Sequence, residues 1–310
     1  MRKLLIAALA CLSMLGVTQE SRAADAEVVA KNLQFPEGTI FVGDTLYFVD
    51  YSTSDVLRLV GSPGGTSGTS VTPRVETVWH QDGCGANGLV AVPDGLWVAC
   101  YDSNTIVRIS TDGKLLETIA QDDTGQPFLY PNDLAVDKKG GVYFTGSGSE
   151  ANLGKVYYLT ASHRVEQVAA DFHYSNGLVV SLDGKLLYVN ETRAGRILSF
   201  TIAPDGTLSN RRQFVKLSDI LGDAGGKVYS PDGLRVDKHG NLFVGLYDGG
   251  GFAVISPDGK LVAQVALPGQ HHANLAISPD GKFVYNTGFF DTAINSYRGQ
   301  LFRVPNPVAE

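Results

Sequence analysis

Five polar residues recur at one register of the chain: Glu37, Asn87, Asn132, Asn176 and Asp232. Each stands seven positions before a turn residue, respectively Asp44, Asp94, Lys139, Asp183 and His239. Successive members are 50, 45, 44 and 56 residues apart. Two carboxylates and three carboxamides suit a hard cation. Calcium takes about six to eight oxygens in adaptable geometry, so its ligands need not come from one loop. No thiolate or imidazole cluster with zinc spacing is present, which argues against a soft-metal site. A plainer role also fits. Asn and Asp before Gly cap strand starts by bonding their own backbone, as Asn87-Gly88, Asn176-Gly177 and Asp232-Gly233 allow. Glu37 fits that role poorly because Glu is a weak turn former, and it tilts the reading toward a metal.

Shared register requires shared strands. After Ser175-Asn176-Gly177, an apolar run reaches Asp183-Gly184 and returns as Leu186-Leu-Tyr-Val189. Asp-Gly between two strand-like runs is a strong hairpin signal, since the turn needs positive φ. The pattern is written five more times, the returns being Leu46–Val49, Leu96–Ala99, Val142–Thr145, Leu242–Gly245 and Phe283–Tyr285. In the sixth copy the register falls on Ala273, between His272 and Asn274. A period in the forties to fifties built only of strands predicts an all-β fold, a six-bladed β-propeller with four antiparallel strands per blade. The last blade has Leu301–Val304 as third strand and lacks an outer one; Ala26–Ala30 is the expected replacement, closing the ring and hiding an edge. In such a ring the first strand of each blade lines the channel. The five polar residues therefore gather at one mouth, with the hairpin turns at the other. Loops leaving the second strands return to the polar mouth, at Asp50-Tyr51, Tyr101-Asp102, Ser147, Asn190-Glu191, Tyr247-Asp248 and Phe289-Phe290.

Met1 to about Ala24 reads as a secretory signal: Arg2-Lys3, an apolar stretch Leu4–Val17, then small residues around Ala23 and Ala24. The run is short for a membrane span of about 20 residues. Residues 25–310 then form a single propeller domain of an exported protein, periplasmic or secreted. Its 22 basic and 31 acidic residues give a net charge of −9. An acidic, unpatterned surface argues against nucleic acid and anionic lipid as partners, and no protein partner is evident. Cys84 and Cys100 remain, either as a local disulfide, which export permits, or as two buried thiols. Gly61–Ser70 is low in complexity and reads as a surface loop within the first repeat.

Phe35-Pro-Glu37-Gly38, Pro131-Asn132-Asp133, Ser175-Asn176-Gly177-Leu178 and Ser230-Pro-Asp232-Gly233 resemble the gluconolactonase family, also called the senescence marker protein 30 or regucalcin-like family. The resemblance runs over nearly the whole mature chain and implies a six-bladed propeller lactonase. It further implies a divalent cation, usually calcium, held by Glu37, Asn176 and Asp232, with Asn132 touching the ion or standing behind its ligands. Asn87 joins the ring from register alone. Sugar-lactone members often carry Arg two residues before the third-blade Asn, where this chain has Tyr130, and Gly-Arg after that blade's turn, where it has Gly140-Gly141-Val142.

The expected chemistry is hydrolysis of a small-molecule lactone or related ester. A cation polarises the carbonyl, and Asp232 orients or deprotonates a water. His271 or His272 is the alternative base, titrating near neutrality, unless the pair merely begins the last inner strand. His173 is expected to line the pocket, with Asn87, Asn132 and Asp133 also contacting substrate. Tyr101, Tyr130, Tyr247, Phe289 and Phe290 are the expected apolar wall, each with blade packing as its plainer role. Two other functions stay open: strictosidine-synthase-like or phosphotriester chemistry on the same scaffold, and a ligand-binding propeller without catalysis.

Overall fold

The computed structural model describes residues 20–21, 26–61, 72–222, 225, 228–291 and 298–309. The expected secretory segment and the Gly61–Ser70 loop lie almost entirely outside the described residues. Alternating and near-continuous apolar runs joined by tight turns give six sheets. The first blade comprises Pro36–Val42, Thr45–Asp50, Asp55–Val60 and Arg74–His80, from channel to rim. The second is Ala86–Val92, Gly95–Cys100, Thr105–Ile109 and Leu115–Ile119. Pro131–Val136, Val142–Gly146, Gly154–Leu159 and Val165–Phe172 form the third, and Ser175–Val180, Leu186–Glu191, Arg196–Ile202 and Leu208–Lys216 the fourth. The fifth has Pro231–Val236, Leu242–Leu246, Gly251–Ile255 and Leu261–Ala266, with Glu20–Ser21 adding a short parallel pairing at its edge. In the sixth, Leu275–Ile277, Phe283–Gly288 and Gly299–Pro305 are completed by Glu27–Leu33 from the start of the chain.

That last pairing is the closure read from the sequence. Glu27–Leu33 runs antiparallel to Gly299–Pro305, so the first and last segments share one sheet and its edge is covered. Successive blades pack face to face. Val98, Cys100 and Val107 of the second blade pack with Val49 and Val56 of the first, and Phe144 and Tyr157 of the third with Trp97 and Ile106 of the second. Burying such side chains contributes about 1.5–3 kcal/mol each. Cys84 and Cys100 are joined by a disulfide, which ties the loop before the second blade to the end of its second strand. No helix among the described residues is long and apolar enough to cross a membrane.

One feature of the inner strands aims the polar ring. In the first five blades, pairing between first and second strands shifts register across the ring residue or its neighbours, as between Glu37 and Ile40 and between Ser175 and Leu178. The same shift lies between Ala86 and Gly88, Pro131 and Leu134, and Pro231 and Leu234. A bulge leaves a residue unpaired and re-aims its side chain. The sixth inner strand pairs without one, starting at Leu275.

Candidate active site

Glu37, Asn87, Asn132, Asn176 and Asp232 come from five different blades and line one cavity of about 360 Å³. All five are buried. Its wall is largely aromatic: Phe35, Tyr51, Tyr101, Tyr174 and Tyr247, with Thr192, Arg193, Ser230 and Asp248 completing it.

The backbone under the ring is close-packed. A Cβ on Gly38 would stand 2.7 Å from the Asn87 carbonyl oxygen, one on Gly88 2.3 Å from that of Asn132, and one on Gly177 2.2 Å from that of Asp232. Glycine follows these ring residues because the next blade's ring residue crowds against it. Polar side chains hold the same backbone: Thr145 Oγ1 donates to the Asn176 carbonyl at 2.9 Å, and Asn190 Nδ2 donates to that of Asp232. Gly177→Ala is therefore expected to cost about 1–3 kcal/mol by overpacking and to weaken cation binding with it. Thermal melts and calorimetric titration check this; wild-type values for both would refute the packing argument.

Electrostatics single out the two carboxyls. Burial pushes Glu37 up from 4.5 to about 8, against the Gly38 N–H bond that favours its charge; the nearby Asp133 charge pushes the same way as burial. Asp232 is raised well above its ordinary value, first by burial, then by the charges of Glu37 and Asp133, while a hydrogen bond from Asn176 opposes. The Asn87 Oδ1 is buried without a hydrogen-bond partner. Crowded carboxyls and an unpaired amide oxygen on one cavity are a donor set that fits a hard divalent cation. Clusters of three or more His, Cys, Asp or Glu able to hold a metal are absent among the described residues, so such an ion relies on the amide oxygens as well.

Asp133 is buried and is not among the residues that line the cavity. It pairs with Arg235 (Nη1 to Oδ2, 3.1 Å), whose guanidinium also donates to the Thr39 carbonyl at 3.1 Å and to Asn274 Oδ1 at 3.0 Å. Asn274 in turn hydrogen-bonds Glu37. Asp133 thus braces the ring from behind instead of contacting the cavity, and Arg235 is a residue that sequence reasoning missed.

The histidines separate. His272 is fully buried, Nδ1 lies 2.7 Å from Asn286 Oδ1, and burial pushes it down to about 4, so it stays neutral and away from the cavity lining. His271 stacks on Phe289 and lies tilted against Tyr247, with Nδ1 3.2 Å from Asp248 Oδ1. His173 is exposed, its N–H donating to Glu191, and does not line the cavity.

Of the expected wall, Tyr101 and Tyr247 line the cavity. Tyr130 stacks on Tyr101 at 4.7 Å and Phe289 is buried against Phe35 at 4.3 Å, neither lining the cavity. Phe290 sits under Arg298. Phe35, Tyr51, Tyr174, Thr192, Arg193, Ser230 and Asp248 were not singled out as contacts. A signal existed: Phe35, Tyr130 and Tyr174 are aromatics two residues before ring positions.

A profile of the SMP-30/Gluconolactonase/LRE-like region matches residues 35–296. The chain is 28% identical over 283 residues to a gluconolactonase of Zymomonas mobilis, covering 84% of this chain and 77% of that protein. It is 28% identical over 202 residues to lactonase drp35 of Staphylococcus aureus, covering 63% of this chain and 60% of the other. The solved structure of regucalcin from Agrobacterium tumefaciens, a calcium-binding protein, is 17% identical and superposes with a TM-score of 0.72 over 92% of this chain and 95% of its own, a likeness of fold.

Proposed function

This chain belongs to the SMP-30/gluconolactonase/LRE-like family, and from that premise we propose that it is an exported, divalent-cation-dependent lactonase. The family and its named lactonase relatives support lactone hydrolysis. The observation that carries the cation is the convergence of five buried polar side chains, two of them carboxyls whose charge burial opposes. Calcium is the favoured ion, in keeping with the calcium-binding regucalcin of the same fold. Export is supported by the apolar N-terminal run and by the disulfide, which persists in oxidising compartments.

Glu37, Asn176 and Asp232 would hold the ion, with Asn87 and Asn132 on the same cavity wall. Bound there, a divalent cation supplies Lewis-acid polarisation of an ester carbonyl. The aromatic wall seats the body of the lactone and excludes bulk water, which strengthens the polar contacts at the floor. Asp232 Oδ takes the proton from the attacking water as the new C–O bond forms. A carboxylate oxygen of Asp232 not committed to the ion would serve as that base. The ring C–O bond then breaks, Asp232 returns that proton to the leaving alkoxide, and a hydroxy acid departs.

Turnover of a lactone panel is expected to fall by about 10²–10³-fold after exhaustive chelation and to return on adding calcium. Undiminished hydrolysis by cation-free protein would remove the ion from the reaction. Absence of turnover on every lactone by loaded protein would remove the lactonase.

A further inference from the structure

The wall of the cavity specifies a class of substrate. Most of its hydroxyls already have a protein partner. Tyr51 Oη donates to Asp102 at 2.9 Å, the Tyr101 and Tyr174 hydroxyls meet at 3.0 Å, Thr192 Oγ1 donates to the Pro231 carbonyl at 2.7 Å, and Ser230 Oγ donates to Asp248 at 2.9 Å. The Tyr51, Thr192 and Ser230 protons are thereby committed, so these residues offer a ligand chiefly ring face and acceptor lone pairs. Tyr51 meets Tyr101 edge-on at 6.0 Å, and Phe35 meets Tyr51 at 5.4 Å, forming a continuous apolar surface.

Arg193 is the exception. It lines the cavity and is exposed, and its guanidinium carbon lies 5.4 Å from the Tyr174 ring centroid. It makes no ion pair with a carboxylate among the described residues, and the short 3-10 turn Thr192–Ala194 presents it at the mouth. Asp248, a partly exposed lining carboxylate, is engaged by Ser230 and faces His271.

We infer that the substrate is a lactone with an apolar, aryl- or alkyl-like body and one anionic substituent, paired by Arg193, and not a polyhydroxylated sugar lactone. This rests on the lactonase reading above. A hydroxyl set against this wall loses its water and finds the Tyr51, Thr192 and Ser230 protons already donated, while the unpaired Asn87 Oδ1 belongs to the ring that would hold the ion, and unpaired buried polar groups are what selective sites reject most strongly. An anionic group against Arg193 gains a charge-assisted bond beside an aromatic face that already favours the guanidinium.

The test separates binding from turnover by using lactams, whose ring amide resists hydrolysis. Three probes are titrated calorimetrically into calcium-loaded protein: a neutral aryl-fused lactam, the same lactam carrying a carboxylate, and gluconolactam. The carboxylated aryl lactam is expected to bind roughly tenfold or more tighter than the neutral one, with gluconolactam weakest. In Arg193→Met the advantage of the carboxylate is expected to shrink to about threefold or less, while Arg193→Lys keeps most of it. Tightest binding by gluconolactam, or a carboxylate preference that survives in Arg193→Met, overturns the inference. The matching lactones are assayed alongside. The expected lactam order without turnover of any lactone would refute the lactonase and leave the ligand class standing; lactone turnover with the opposite lactam order would do the reverse.

Discussion

Glu37→Gln is expected to lower kcat/KM for lactone hydrolysis by at least about 100-fold and calcium affinity by a comparable factor, while the protein stays folded. Gln preserves the size of the side chain and an oxygen able to accept from the Gly38 N–H, which lies 3.1 Å from Glu37 Oε2. What it removes is a charge. In metal-free protein that removal is harmless, because burial and Asp133 already oppose ionisation of Glu37. In loaded protein it is costly, because only the ionised carboxylate offsets the desolvation of a divalent ion. The variant is therefore expected to melt at or above the wild-type temperature in chelator, and to gain less from calcium. Metal content, turnover and melting are measured on one preparation. Near-wild-type activity with calcium bound would show that the ring is scaffolding. A variant that unfolds in chelator would show instead that Glu37 serves the fold.

Much of this site was legible because the chain repeats it. A hairpin with a turn seven residues after a polar side chain fixes which strand is innermost, and closure then brings those side chains together whatever the blades between contain. The bulges that aim them were not legible, since a register shift depends on both strands. The glycines after the ring residues were visible, and strand capping was open as their reason. The reason is the carbonyl of the next blade, at 2.7 Å or less from an added Cβ on Gly38, Gly88 and Gly177. Where the chain has Asp133 at that place, the side chain pairs with Arg235. Arg235 itself reads as an ordinary strand residue, and only curvature of the ring puts it near three blades. The histidines, read either as a base or as a strand entry, divide for a related reason. His272 sits beside the ring register of the sixth blade, but that strand has no bulge, and the imidazole turns inward to Asn286. Wall residues were hardest: loops supply them, and loop paths leave little periodic trace.

Two buried carboxyls that resist ionisation also make stability depend on pH in a direction opposite to that of an ordinary ion-paired acid. Glu37 moves from 4.5 to about 8 on folding of the metal-free chain, and Asp232 is raised as well. A folded-state value above the unfolded one means that the native protein retains a proton the unfolded chain releases. The associated stability is fully present below about pH 4.5 and is lost as pH rises toward about 8, at up to roughly 1.4 kcal/mol per pH unit for each such group. Chelated protein is therefore expected to melt several degrees lower at pH 8 than at pH 5, at about 2 °C per kcal/mol for a chain of this size. Calcium is expected to reverse the trend, because it would replace the proton at the carboxyls and bind more tightly as they ionise. Its stabilising effect should be small at pH 5, large at pH 8, and accompanied by proton release that calorimetry in buffers of different ionisation enthalpy can count. Glu37→Gln should flatten the chelated curve, since one of the two titrating groups is gone. A wild-type melting temperature in chelator that holds level or rises between pH 5 and pH 8, with calcium adding the same increment throughout, would mean that the carboxyls ionise freely and that the ring is not built around a missing positive charge.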